Sequence, residues 1–368
     1  MTTPTRDDHD RGAEAAESDF VALGGWPAIL GRLFARQDLS ADEAAATLGE
    51  VLAGAATPAQ IASFITALRI KGETVDEMTG LVRAMLTHAE PLPVARPNDV
   101  VDTCGTGGDR SRSINVSTMA ALVVAGAGAR VCKHGGRAAS SAAGSADVLE
   151  ALGVVIDLGP DGVARCIAEV GIGFCFAPRF HPAMRFAIPV RRELGVATVF
   201  NFLGPLANPA RAGLQVVGVS DPGMADKMLR VLVANGAQRA MVVHGADGLD
   251  ELSTTGPSTV LDAAADGEVR RSSVDPTDLG LPLASLDALR GGDATANAEV
   301  VRRVLDGEKG PHRDIAVLNA AAGLVVAGLS VDLAQGVERA AAVIDAGAAH
   351  DVLENLVRVS NEAAAGSS

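Results

Sequence analysis

The stretch VVDTCGTGGDRSRSINVSTMAALVVAGA, residues 100–127, decides the fold. Val100-Val101-Asp102 predicts a short strand, Gly105, Gly107 and Gly108 interrupt it, and Asn115-Val-Ser117-Thr118 opens an apolar helix from Met119 to Ala127. Strand, glycine loop and helix in that order form a phosphate cradle. Glycines without Cβ let backbone amides come close to an anion, and the helix start adds unpaired N–H groups and partial positive charge. A tight turn that needs glycine and a cap for geometry alone has the same texture. Asp109 separates the two readings, because a carboxylate beside an anion cradle points to a hydroxylated sugar or a metal next to the phosphates. The stretch contains neither GK[ST] nor GxGxxG with a later acid, which sets aside the P-loop and the dinucleotide fingerprint.

Downstream, short Val-rich runs alternate with Ala-rich helical ones. Strands are expected at Arg130-Val131-Cys132, Gly173 to Phe176, Gln215 to Val219 and Ala240 to His244, joined by crossover helices. The predicted fold class is α/β: a mostly parallel central sheet flanked by helices, with the ligand beyond the carboxyl ends of the strands. Upstream, Ile29, Leu30, Leu33, Phe34 and then Ile61, Phe64, Ile65, Leu68 recur at helical spacing. The starts Ser40-Ala-Asp-Glu43, Thr57-Pro58 and Thr74-Val-Asp-Glu77 predict three or four short helices. The expected organisation is a disordered tail over 1–19 and a small all-helical domain over 20–92, joined by 179–209. An α/β domain is expected over 98–178 and 210–365.

Charge and composition narrow the function. The 368 residues carry 31 basic and 45 acidic side chains, a formal charge of −14, which disfavours nucleic acid as a partner. Nine Phe, Trp26 and no Tyr leave few stacking platforms for bases. Cys104, Cys132, Cys166 and Cys175 form no CxxC pair, which predicts reduced thiols in a cytoplasmic protein. The longest apolar runs fall well short of the ~20 residues that cross a bilayer, so no membrane segment is expected.

Two further segments carry chemistry. Lys133-His134-Gly135-Gly136-Arg137-Ala138-Ala139-Ser140-Ser141 follows the second strand, and Ser145 opens the next helix. On so acidic a chain, a local cluster of cations and hydroxyls reads as a phosphate or diphosphate receptor, or else as a solvated loop. Asp250-Glu251 follows the strand Ala240 to His244. Adjacent carboxylates point apart and suit two Mg2+ positions, although such a pair by itself usually starts a helix or faces water. His181, Arg185, Arg191 and Arg192 concentrate charge near the Phe180–Pro209 stretch, and no acid/base or nucleophile constellation is evident.

Taken together, GTGGD, NVST, KHGGRAASS, GSADVLEALG, FAPRFHPAMR, VRRELG, FNFLGPLANPA, HGADGLDEL and GGDATANA resemble the anthranilate phosphoribosyltransferase family from about residue 25 to 350. The resemblance implies a helical domain hinged to a larger α/β domain of the nucleoside phosphorylase/phosphoribosyltransferase class, working as a homodimer. It implies transfer of phosphoribose from 5-phosphoribosyl 1-diphosphate to anthranilate, in tryptophan biosynthesis. By position, Gly105, Gly108, Asp109, Ser113, Asn115, Val116, Ser117, Thr118, Lys133 to Ser141 and Ser145 resemble donor contacts. Ser117, Asp250 and Glu251 resemble ligands of two Mg2+ ions, and Gly105, Gly136 and Arg191 resemble anthranilate contacts. The pattern departs at Gly136, where the family usually has Asn within KHGNR, and at Arg110, where many members have Gly. Loss of that carboxamide removes a polar contact to acceptor or ribose. The competing readings are a phosphoribosyltransferase for another aromatic acceptor, an enzyme like pyrimidine nucleoside phosphorylase, and a ribose-phosphate binder without turnover.

Overall fold

The computed structural model describes residues 20–109, 111–138, 142–264 and 266–366. The expected tail 1–19, together with Arg110, Ala139, Ser140 and Ser141, lies outside the described residues. The chain divides into two units, one of the described residues up to Ala89 plus His181–Ala207, the other of Glu90–Phe180 plus the chain from Asn208.

The first unit is helical: α1 (Gly25–Phe34), α2 (Ala41–Leu52), α3 (Pro58–Lys71) and α4 (Val75–Thr87), with shorter helices in the returning segment. Capping boxes start three of them, at Ser40 with Glu43, Thr57 with Gln60, and Thr74 with Glu77. Each cap satisfies backbone donors left open at a helix start and contributes about 1 kcal/mol. Glu77 does more than cap, since its fully buried carboxylate also accepts from Leu39 N at 2.9 Å and Lys71 Nζ at 3.0 Å. Ile29, Leu33, Ile61, Phe64, Ile65 and Leu68 are buried as their spacing predicts, whereas Phe34 is exposed.

The second unit is built on a seven-stranded sheet in the order β3-β2-β1-β4-β5-β6-β7. The strands are β1 (Val100–Gly105), β2 (Arg130–Gly135), β3 (Ile172–Phe176), β4 (Leu214–Gly218), β5 (Arg239–Gly245), β6 (Ser258–Ala264) and β7 (Val269–Val274). Pairing is parallel from β3 to β5 and antiparallel from β5 to β7. The last two strands are absent from the expectation; both carry polar or charged residues, Ser258 and Thr259 in β6 and Arg270 to Ser273 in β7. As an edge strand, β7 carries Arg270 and Arg271, charges that discourage pairing with another chain.

Helix α5 (Val116–Gly126) is buried almost throughout and crosses from β1 to β2. Gly323 of a long buried helix, Pro311–Val326, lets it approach α5 so closely that a Cβ would overlap Val124. From β1 the chain runs outward to β2 and β3, then returns to place β4 on the other side of β1. Such a reversal opens a crevice at the carboxyl ends of β1 and β4, where open α/β sheets bind ligands.

The unit boundaries differ by a few residues from the expected ones for a visible reason. Glu90 N donates to Phe180 O at 2.8 Å, Glu90 pairs with Arg179, and Leu92 is buried in the sheet unit's core. Asn208 is held inside the sheet by Asp102.

Candidate active site

At the switch point the glycines of β1 and β4 serve an acid. A Cβ on Gly105 would overlap the Asp250 carboxylate, and one on Gly218 would overlap the Asp250 backbone carbonyl. Asp250 therefore reaches the sheet edge only because both strands end in glycine. Its Oδ2 accepts from Gly107 N at 2.7 Å. Gly107 (φ +66°) and Gly108 (φ +80°) adopt the left-handed conformation that the loop needs. The tips of β1 and β4 are tied by Thr106 N to Gly218 O (2.9 Å), Ser220 N to Thr106 Oγ1 (3.1 Å) and Ser220 Oγ to Gly107 O (3.0 Å).

The acid pair rests on a rigid turn. Asp247 accepts from Ser253 Oγ at 2.6 Å and Thr255 Oγ1 at 2.5 Å, while Asn319 brackets Leu252 with Leu252 N to Oδ1 and Nδ2 to Leu252 O, both 2.8 Å. Glu251 accepts from Ser117 N at 3.2 Å, so the start of α5 meets this second carboxylate. Asp109 is fixed by Ser111, whose N and Oγ donate to it at 3.1 and 2.9 Å. Burial first, then the Asp109 charge, pushes the Asp250 pKa up to about 7. Burial and then Asp250 raise that of Glu251. Three carboxylates thus repel one another in a desolvated corner, an arrangement that a cation relieves.

Lys133 is the only cation attributed to this corner among the described residues. It lies inside β2 rather than in the loop after it, buried, with Nζ donating to Thr103 O at 2.5 Å and Ser117 Oγ at 3.2 Å. His134 is also within the strand, its N donating to Asp102 Oδ1 at 3.2 Å. Both expected strands stopped too early, at Asp102 and Cys132, because charged residues read as strand ends; here they pair within a sheet covered on both faces. Fully buried Asp102 accepts from Asn208 Nδ2 at 2.7 Å, and its pKa is pushed up to about 6 by burial, against the pull of Lys133. Asp102 and Asn208 had no place in the expected site.

Beyond β2, Gly144 is obligatory, since a Cβ would strike Gly136 O and Ala138 N. Asp147 closes the loop by accepting from Gly144 N at 2.8 Å and Ala138 N at 3.0 Å, and Ser145 Oγ reaches Gly136 O at 3.5 Å. Arg137, an expected diphosphate contact, pairs with two acids in this structure. It is half-exposed and bound to Asp147 and Glu150 at 2.8 Å each, which already balances its charge. Gly136 needs no positive φ and faces only Ala177 Cβ at 3.9 Å, so a side chain would fit there. Asn115 spends its amide on neighbours: Nδ2 donates to Ala143 O at 3.1 Å and Oδ1 accepts from Asn297 at 2.9 Å. Ser113 bridges Arg290, Val116 and Thr118 are buried, and the Thr118 hydroxyl has no partner among the described residues.

Arg191 and His181 belong to the first unit. Arg191 lies over the Phe200 ring at 5.1 Å, and burial lowers its pKa; among the described residues no carboxylate pairs with it. His181 is buried against Ala207 O at 3.0 Å, its pKa pushed down to about 4 by burial, so it is neutral.

Comparison with known proteins agrees with this geometry. Residues 27–89 match the helical bundle domain and residues 97–350 the a/b domain of a glycosyl transferase family. The anthranilate phosphoribosyltransferase of Nocardioides sp. is 57% identical over 337 residues, covering 90% of this chain and 98% of the relative. The chain belongs to the anthranilate phosphoribosyltransferase family. Among solved members of that family, the Thermus thermophilus structure matches with a TM-score of 0.85 at 44% identity, over 90% of this chain and 99% of that one. One from Saccharomyces cerevisiae, in complex with PRPP and Mg, matches with a TM-score of 0.83 at 26% identity, over 92% and 98%. No helix among the described residues is long and apolar enough to cross a membrane.

Proposed function

We propose that this chain transfers the phosphoribosyl group of 5-phosphoribosyl 1-diphosphate to the amine of anthranilate, giving N-(5-phosphoribosyl)anthranilate and diphosphate, in tryptophan biosynthesis. The observation that carries the reading is the Asp250 carboxylate seated between Gly105 and Gly218 at the switch point, with Glu251 on the start of α5 beside it. Glycine-lined strand tips hold the donor's phosphates through backbone amides, with Gly105, Gly108, Asp109, Ser113, Asn115 to Thr118, Lys133 to Ser141 and Ser145 around it.

The donor set of Ser117, Asp250 and Glu251 is all oxygen, which suits Mg2+. No group of three Asp, Glu, His or Cys side chains among the described residues closes into a cage. Sparse ligation of this kind matches magnesium held jointly with substrate phosphates, and two ions are proposed. Bound there, magnesium would neutralise charge gathering on the departing diphosphate.

The chain's own residues do the rest. Lys133 places a buried positive charge beside Ser117, and Gly107 and the start of α5 orient the carboxylates. As the bond from ribose C1 to the diphosphate oxygen breaks, negative charge grows on the leaving group and positive charge on the sugar, while the amine nitrogen bonds to C1 and later sheds a proton. An arylamine is already a free nucleophile at neutral pH, so positioning and leaving-group stabilisation suffice without a strong base. Arg191, desolvated and without an ion pair among the described residues, is proposed to meet the anthranilate carboxylate, and Gly105 and Gly136 to contact the acceptor. The protein is further proposed to act as a cytoplasmic homodimer; exposed Val21, Phe34 and Ile70 on the first unit supply apolar surface for it.

The test is loss of anthranilate fluorescence with donor and Mg2+ each omitted in turn. Turnover that needs both supports the reading. Consumption of a nucleoside with inorganic phosphate, or donor binding with no arylamine consumed, overturns it. Light scattering tests the dimer.

A further inference from the structure

Residues 112–115 do not stand alone. Ile114 N donates to Leu289 O at 3.0 Å, Gly291 N to Arg112 O at 2.8 Å, and Ser113 bridges Arg290, so residues 112–114 are zipped along residues 289–291. Beside this seam lies Asn297 in the first turn of the helix Ala294–Leu305, only 2% exposed. Its Oδ1 accepts from Gly292 N at 2.7 Å and its Nδ2 donates to Asn115 Oδ1 at 2.9 Å; Asn115 Nδ2 donates on to Ala143 O at 3.1 Å.

The direction of this relay is fixed at both ends. A backbone N–H at Gly292 must meet an oxygen, and the carbonyl of Ala143 must meet a nitrogen, so neither carboxamide can turn over without opposing like groups. Gly291 leaves room for it, since a Cβ there would stand 2.5 Å from Asn297 Oδ1. The relay joins the segment after β1 to the segment after β2, the two strand tips on which the proposed donor site is built. We infer that Asn297 is a positioning residue for phosphoribosyl diphosphate, acting through Asn115 to hold the two donor loops at fixed separation. This rests on the donor site proposed above.

Calorimetric titration of the full chain with phosphoribosyl diphosphate and Mg2+, beside turnover kinetics, tests it. Asn297→Ala and Gly291→Ala are expected to weaken donor binding about tenfold, the worth of one buried hydrogen bond, with the KM for anthranilate within about twofold of wild type. Asp293→Ala is the structural control. It removes only the cap that Asp293 Oδ1 provides to Ala296 N at 2.9 Å, and should lower the melting temperature while leaving donor affinity unchanged. Asn115→Ala with Asn297→Ala should be no worse than Asn115→Ala alone, because both cut one relay. Donor affinity equal to wild type in both Asn297→Ala and Gly291→Ala, an equal donor loss in Asp293→Ala at matched stability, or additive losses in the double variant would overturn the inference and leave the donor site standing. A wild-type chain that binds no donor overturns both.

Discussion

Replacing Gly105 by Ala tests why glycine ends β1. The added methyl meets the Asp250 carboxylate, the mobile end of a side chain, so the carboxylate swings away rather than the strand breaking. Overpacking of this kind costs about 1–3 kcal/mol. The swing also gives up the 2.7 Å bond from Gly107 N, worth about 1.5–3 kcal/mol when the acceptor is charged. Relaxation recovers part of each, leaving about 2–3 kcal/mol, or a melting temperature lowered by roughly 4–10 °C. Turnover should fall about a hundredfold, since the displaced group is a proposed ligand for magnesium and each tenfold corresponds to about 1.4 kcal/mol. Gly107→Ala is the matched comparison. At φ +66° with nothing within 4 Å, an alanine there strains the backbone by about 1–2 kcal/mol but keeps its N–H on Asp250. It should melt lower yet retain most activity. Scanning calorimetry and the anthranilate fluorescence assay read the two effects separately. Gly105→Ala with near wild-type turnover, or Gly107→Ala as inactive as Gly105→Ala at equal stability, would refute the reasoning.

Asp250→Asn should be more stable than wild type without magnesium. The native pKa of about 7 lies above the ordinary 3.8, so ionising Asp250 costs stability that begins to be lost above pH 3.8 and is fully lost above pH 7. The gain, of order 4 kcal/mol at pH 8 and vanishing near pH 4, is read from urea midpoints across pH, with turnover falling in the same variant. His181 carries the opposite sign. Its folded pKa of about 4 lies below the ordinary 6.5, so the unfolded chain takes up a proton first, and stability relative to His181→Gln should fall by up to about 3 kcal/mol between pH 6.5 and pH 4. All four cysteines are buried and outside any disulfide, and Cys132 Sγ sits 3.2 Å from Cys175 Sγ. A thiol reagent should therefore titrate essentially none in the native protein and all four in denaturant.

What could be read from the sequence follows from where local chemistry acts. Ser40, Thr57 and Thr74 announce their helices because a cap is a contact over three residues. The parallel core strands show as Val-rich runs because both faces are covered. Asp102 and Lys133 hid the true extent of β1 and β2, since each is tolerated inside the sheet by partners distant in the chain, Thr103 and Ser117 for Lys133 and Asn208 for Asp102. The glycines at 105 and 218 illustrate the same limit. The loop's texture suggested an anion cradle, but that these two glycines admit Asp250, over 140 and 30 residues away in the chain, appears only once the strands are laid side by side. Arg137 was readable as a phosphate contact by type, but its pairing with Asp147 and Glu150 was not, although the spacing of three between those acids puts them on one helix face. Asn297 stood in a motif quoted for resemblance, without a role until its amide met Asn115.

The most direct measurement is calorimetric titration of phosphoribosyl diphosphate into wild type and into Asp250→Asn, Glu251→Gln, each with and without Mg2+. The wild type should bind donor tightly only when the metal is present, and the double variant should bind it equally weakly in both conditions. Metal-dependent binding that survives in the double variant would contradict the assignment of the acid pair.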